Sequence, residues 1–311
     1  QTTETSDKAN KFGYNLKSGG AYNFDEKNIV YANAGYYSRQ PFLDNVFSGT
    51  AELVDPEVEN EEITGLEIGY KFNTYDFQFT VDLYRTEWAN RFIANGNTII
   101  DIATDAEVDV NREQTDVTQL QQGIELTARW RAAQGLVIGA YTSYGDWVFP
   151  GSTPYRTRDF RDNTYFTNAE IGDYTDQNGD PLPANFFDGN VNLDGVEISN
   201  APQFTMGLNA DYDFANGFEI GLDMNHFRNL YEFVDVADVV AEGNSYETSK
   251  LDAYTLLDMT AAYTFDFGTN KMEVRTNVYN LFNNAYLNQT DAFGVFYGNG
   301  RTWNASVTYR F

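Results

Sequence analysis

Phe204-Thr205-Met206-Gly207-Leu208-Asn209-Ala210-Asp211-Tyr212-Asp213-Phe214, then Ala215-Asn216-Gly217, then Phe218-Glu219-Ile220-Gly221-Leu222-Asp223-Met224-Asn225 is the stretch that decides the fold. Large apolar residues fall on every second position and small or polar residues fill the gaps. A period of two is the signature of a strand with two unlike faces. Here one face is oil and the other water. A three-residue turn holding Asn and Gly joins two such runs, which makes the stretch a hairpin.

Working outward, the same alternation recurs along the whole chain. It predicts eleven strands, near 11–24, 28–38, 62–72, 76–93, 118–131, 136–148, 202–214, 218–228, 251–265, 271–280 and 299–311. Tight turns are expected at Asp25–Lys27, Asn73–Tyr75, Ala132–Gly135, Ala215–Gly217 and Asp266–Asn270. Long loops are expected at 39–61, 94–117, 149–201, 229–250 and 281–298. Turns and loops alternate, so all the short connections lie at one end and all the long ones at the other. Outer-membrane barrels have this asymmetry, with short periplasmic turns and long extracellular loops. A sandwich distributes its loops over both ends.

Composition agrees. No stretch approaches the roughly 20 consecutive apolar residues of a membrane-spanning helix, and mean hydropathy is −0.50. A barrel escapes any hydropathy average, because its lipid-facing and water-facing residues alternate. The five long loops hold 27 Asp and Glu against 6 Lys and Arg, a net −21 of the chain's −26, so the strands are nearly neutral. Sets such as Phe77, Phe79, Val81, Leu83 and Trp303, Ala305, Val307, Tyr309, Phe311 are expected to face hydrocarbon.

Several function classes drop out. A net charge of −26 argues against nucleic acid, whose phosphates demand Lys and Arg. With no cysteine, a disulfide framework, a thiolate metal site and a thiol nucleophile are all unavailable. The single histidine, His226, lies in the strand-like run 218–228 with no serine nucleophile motif nearby, so a Ser-His-Asp triad is not indicated and no catalytic residue is assigned. Gln1–Asn10 carries no basic segment followed by an apolar core, so no signal peptide is read there.

Strand number adds a constraint. Single-chain bacterial barrels use even numbers, and eleven strands alone would leave edges in lipid. The expectation is an all-β, antiparallel transmembrane β-barrel of which residues 1–311 are the C-terminal part, about 11 strands of a 22-stranded barrel with long extracellular loops. The remaining strands would lie upstream.

Two segments resemble the TonB-dependent receptor family. The first is Val54-Asp55-Pro56-Glu57-Val58-Glu59-Asn60-Glu61-Glu62, followed by Thr64-Gly65-Leu66-Glu67-Ile68-Gly69-Tyr70. It is similar to the family's Asn-Pro-x-Leu-Lys-Pro-Glu element leading into a strand with Glu-x-Gly, with Asp55 in place of Asn and Glu59 where Lys is usual. The more specific segment is Asn277-Val278-Tyr279-Asn280-Leu281-Phe282-Asn283-Asn284-Ala285-Tyr286, with the last strand Gly300-Arg301-Thr302-Trp303 through Tyr309-Arg310-Phe311. Val30-Tyr31-Ala32-Asn33-Ala34-Gly35-Tyr36-Tyr37-Ser38-Arg39-Gln40-Pro41 resembles receptors of the Bacteroidota.

The resemblance implies a plug domain and a TonB-contacting segment upstream, and import of a scarce nutrient driven through TonB. A ferric siderophore or similar chelate is the first candidate cargo. Glycan or peptide uptake with a surface lipoprotein, a structural or secretion-associated barrel, and a passive porin are the alternatives. It also implies partners: outer-membrane lipid and lipopolysaccharide around the wall, and the barrel-assembly machinery at the C-terminal strand.

Candidate binding residues lie on the long loops. Tyr155, Arg156, Arg158, Phe160 and Arg161 form the one basic cluster there, suited either to an anionic or glycan cargo or to pairing with neighbouring acids. Phe42, Phe47, Tyr231, Phe293, Phe296 and Tyr297 could stack a sugar or an aromatic chelate, or pack the loops together. Asp173, Asp176, Asn178 and Asp180 place oxygen side chains at alternate positions around Gly179, as a calcium loop does. The stretch lacks the full spacing and the Glu at the twelfth position, and an ordinary turn with side-chain-to-backbone bonds uses the same residues.

Overall fold

The computed structural model describes residues 6–47, 53–54, 58–161, 163–234, 248–291 and 293–311; Asp55, Pro56 and Glu57 of the quoted motif lie outside them. In chain order the strands are β1 (Asn15–Asn23), β2 (Asn28–Arg39), β3 (Glu61–Asn73), β4 (Phe77–Asp101), β5 (Ala106–Ala133), β6 (Leu136–Phe149), β7 (Ser152–Asp159), β8 (Tyr174–Thr175), β9 (Asp188–Asn192), β10 (Val196–Glu197), β11 (Phe204–Asp213), β12 (Phe218–Arg228), β13 (Tyr254–Phe267), β14 (Asn270–Tyr279), β15 (Leu287–Asp291), β16 (Gly294–Tyr297) and β17 (Thr302–Arg310). One antiparallel sheet runs β1-β2-β3-β4-β5-β6-β11-β12-β13-β14-β17. These are the eleven strands expected from the alternation, in chain order, and they form an open segment of barrel wall with β1 and β17 at its edges.

Register separates the two faces. Glu67, Tyr84, Gly123 and Gly145 pair across β3, β4, β5 and β6, as do Asn209, Asp223 and Asp258 across β11, β12 and β13. The neighbouring register holds Leu66, Leu83, Ile124 and Leu126, then Met206, Leu208, Met224 and Leu257. In a transmembrane wall the apolar register meets lipid.

On that outward face the ionisable acid, base and imidazole side chains are Glu62, Arg85, Glu87, Asp146, His226 and Arg228, all toward the long-loop ends of their strands. Arg85 and Asp146 are joined there through Gln122, at 2.8 and 2.9 Å. The inward face carries the charges of the lower wall, with Arg275 between Glu219 at 3.5 Å and Glu273 at 3.0 Å. Aromatic rings collect on the outward face at the short-turn end, among them Tyr22 with Phe24, Phe72 with Phe77, and Tyr212 with Phe214. They form the girdle expected at a membrane interface.

Two turns explain their glycines. Gly135 and Gly217 have φ of 80° and 87°, and a Cβ on either would meet the carbonyl oxygen of Asp213 at 2.3 Å or of Thr264 at 2.0 Å. The turn backbone thus presses against the next strand, and only glycine fits.

Three long connections differ from expectation. Residues 94–117 are not a loop: β4 and β5 run 25 and 28 residues and stay paired from Ile93↔Gln114 to Asp101↔Ala106. At about 3.3 Å per residue, each is more than twice what a bilayer requires. Residues 149–201 supply β7, β8, β9, β10 and a short 3-10 helix at Asn168–Asp173. Residues 281–298 contain the β15–β16 hairpin. Above the rim, β8, β4, β5, β7 and β9 pair in that order as an extracellular branch of the same sheet, the crown. The packed core of the described residues is there: Ile99, Val108, Val110 and Phe187 are wholly buried with Phe166, Leu182 and Phe186, and Val117 and Val191 with Tyr155, Leu193 and Val196.

Candidate functional site

The crown sheet buries charge as well as oil. Cross-strand pairing puts Glu113 opposite Arg156 and Asn111 opposite Arg158. Arg158 and Glu113, both fully buried, pair at 2.6 Å. The Tyr165 hydroxyl donates to the other oxygen of Glu113 at 2.8 Å, and Arg158 also donates to Asn163. Burial, followed by the Glu113 charge, pushes the Tyr165 phenol far up, which keeps its proton in place as a donor. On the opposite face Arg112 lies 4.6 Å over the Phe186 ring and donates to the Phe186 carbonyl at 3.1 Å.

This arrangement positions the predicted basic cluster. Tyr155 is buried in the crown core with its hydroxyl donating to the Asn185 carbonyl, and burial raises its pKa. Arg158 is held between Glu113 and the Phe160 ring, the latter at 5.5 Å. Arg161 pairs with Asp159 at 2.6 Å. Arg156 stacks on Tyr165 at 4.1 Å, but its Nε and Nη2 are shielded from solvent without a hydrogen-bond partner among the described residues. Structural pairing therefore engages Arg158 and Arg161.

The aromatic candidates are distributed. Tyr231 lies beneath Lys250 at 5.3 Å, and burial together with Glu197 pushes its phenol up to about 12. Phe293, Phe296 and Tyr297 project from the β15–β16 hairpin, Phe293 being 97% exposed. The segment after Tyr231 links the two regions: Phe233 N–H donates to Thr290 on β15 at 2.6 Å, and Val234 packs on the Tyr155 cluster. Phe42 sits under the Arg39 guanidinium at 4.6 Å, and Phe47 caps a short helix at Leu43–Val46.

Of the four calcium candidates, Asp176, Asn178 and Asp180 share one turn, whereas Asp173 ends the preceding 3-10 helix. One Asp176 oxygen accepts the backbone N–H of Asn178 and of Asp180, each at 2.8 Å, and these bonds hold its pKa below the usual carboxylate value. Among the described residues no three acidic or histidine side chains are gathered to hold a metal. Nor does His226 face a reactive partner, since it points outward and meets Thr255 Oγ1 at 2.9 Å.

Sequence reading missed Glu113, Tyr165 and a rim cavity of about 340 Å³ between crown and wall. The alternation of Val108 and Val110 with Glu107, Asp109 and Asn111 was a usable strand signal for the crown. The cavity had none, because it joins residues from the β2–β3 connection, β4, β5 and β7.

Comparison with known proteins gives a consistent picture. The family model described as TonB dependent receptor-like, beta-barrel, matches residues 1–281. A vitamin B12 transporter of Photobacterium profundum is 28% identical over 159 residues, 45% of this chain and 24% of that protein. The ferric preacinetobactin receptor BauA of Acinetobacter baumannii superposes with a TM-score of 0.60 at 18% identity, over 95% of this chain and 36% of that one. The iron transporter FrpB of Neisseria meningitidis gives 0.57 at 18% identity, over 96% and 39%. The chain thus spans about a quarter of that curated relative and little more than a third of the two structures.

Proposed function

This chain belongs to the TonB-dependent receptor β-barrel family, whose members are outer-membrane proteins, and from that premise we propose that it serves active import of a scarce nutrient, with a ferric siderophore or similar metal chelate as first candidate cargo. It is a receptor barrel wall and not an enzyme. Residues 1–311 supply the C-terminal part of one barrel in this reading, with a plug, a TonB-contacting segment and the first barrel half upstream.

The observation that carries the reading is the division of charge. The lower wall keeps its charges on the inward register, and a folded acidic crown stands over the rim. An inward polar face suits a lumen filled by water or by a polar plug, and the crown offers a structured surface for capture. The named cargoes of the relatives, vitamin B12 and iron complexes, are metal-centred small molecules, which favours a chelate here. Uptake of glycan or peptide beside a surface lipoprotein is the second reading, favoured by the exposed apolar β15–β16 hairpin.

The test is uptake of radiolabelled ferric siderophores and of cyanocobalamin by cells whose import depends on this receptor. Saturable uptake that vanishes when TonB is removed is the expected result. Uptake indifferent to TonB would indicate a porin, and no uptake of any chelate would leave the lipoprotein-assisted or structural readings.

A further inference from the structure

At the inward rim of the wall two arginines share one acid. Register pairs Arg39 on β2 with Glu61 on β3, and one step lower on the same face it aligns Tyr37, Ile63, Trp88 and Gln119. Arg91 follows Trp88 on β4, past the first register shift of the β4–β5 ladder. Glu61 is buried and lies 3.4 Å from Arg39 and 3.5 Å from Arg91. Neither contact closes as Arg158 and Glu113 do at 2.6 Å in the crown. One carboxylate thus holds two guanidiniums loosely and leaves a positive surplus.

Arg39 is the reachable member of the pair. Its side chain is 40% exposed, and Glu61 is its one acidic partner among the described residues. The Phe42 ring lies 4.6 Å from its guanidinium and the Trp88 ring 5.9 Å, while Trp88 also meets Arg91 at 5.6 Å. Rings engage the flat faces of a guanidinium and leave the N–H groups at its edge to bond an anion.

Below the rim the wall is hollow. A cavity of about 410 Å³ opens there, with Lys17, Tyr37, Glu67 and Tyr84 in its lining. Lys17 and Glu67 balance, so the surplus of the rim stands. Deeper, Asp82 and Glu125 face each other across β4 and β5, and their charge would hold an anion at the mouth. In a chain of net −26 a basic spot on the lumen face is the exception, and it is sited where cargo enters.

We propose that this rim is a subsite for an anionic, oxygen-rich part of the cargo, a catecholate or aryl carboxylate. Its paired oxygens meet the N–H edge of Arg39, Phe42 and Trp88 keep that edge aimed, and the body of the cargo enters the hollow. The proposal rests on the import reading and names the charge of the chelate taken.

The test is calorimetric titration of the full-length receptor in detergent with two iron complexes of opposite charge, the anionic ferric complex of 2,3-dihydroxybenzoate and the cationic ferrioxamine B. The anion binds and the cation does not. Arg39→Gln weakens the anion by about tenfold, as loss of a charge-assisted bond requires. Glu61→Gln, which releases both guanidiniums, strengthens it, whereas a purely structural ion pair would make both substitutions weaken binding. Equal binding of the two complexes to the unaltered receptor, or no binding of the anion at millimolar concentration, overturns the proposal, and neither result depends on a variant's folding. Because this equilibrium needs no TonB, its failure with TonB-dependent uptake intact removes the subsite alone. Loss of TonB-dependence with charge-selective binding preserved removes the import reading alone.

Discussion

Leu208 and Leu222 in wall strands β11 and β12 are 46% and 41% exposed, whereas Val108, Val110 and Val191 in crown strands β5 and β9 have no exposure. Both regions alternate apolar with polar residues on antiparallel strands, yet they place their apolar faces against different media. The wall turns oil outward to hydrocarbon and charge inward. The crown stands in water and buries its oil against itself, as a soluble domain does. The most deeply buried charges of the crown are paired, Arg158 with Glu113. Alternation is therefore a statement about two faces, and the solvent decides which of them is the inside.

That contrast can be broken experimentally, and the largest effect is expected at the buried pair. Glu113→Ala leaves Arg158 charged and enclosed, a change that costs roughly 3–5 kcal/mol. Limited proteolysis of the full-length receptor should then cut the crown, while the barrel keeps its heat-modifiable gel mobility. If the barrel also loses that mobility, the two regions are one cooperative unit and the comparison fails.

Next is the wall. Leu222→Arg puts a charge on the lipid face at mid-strand and should cost about 2–4 kcal/mol. Thr260→Lys, on the inward register beside Gly221, should cost under about 1 kcal/mol. Denaturant unfolding in lipid vesicles measures both, and equal costs would refute the assignment of faces.

Smaller effects come from titration. Tyr231 has its phenol raised from 10.0 to about 12, so its folded form holds the proton more tightly than the unfolded one. The stability it contributes is fully present below pH 10 and is lost as pH rises through about 12. Difference absorbance of wild type against Tyr231→Phe should show one phenol titrating late, and a midpoint near 10 would contradict its packed setting. The smallest effect is at Asp176, whose pKa is depressed by the backbone N–H groups of Asp180 and Asn178. Its contribution is present above the unfolded value of 3.8 and is lost as pH falls through the lower folded value. Hydrogen exchange should therefore show faster Asn178 and Asp180 amides only in acid, and Asp176→Ala should show the same at neutral pH.

The sequence alone determined the eleven wall strands, their order and the two ends of the barrel. Each of those facts depends on local periodicity, on a turn glycine such as Gly217, or on the length of a connection. The family match takes in residues 1–281, and with them only the first five residues of the C-terminal run Asn277 to Phe311. What only the tertiary structure decided lies above the rim. Arg156, Arg158 and Arg161 look alike in sequence, within six residues of one another. Their different fates follow from which acids β5 and β9 bring alongside and which of those acids other partners already hold. Pairing of that kind depends on contacts between segments tens of residues apart, and no periodicity records it.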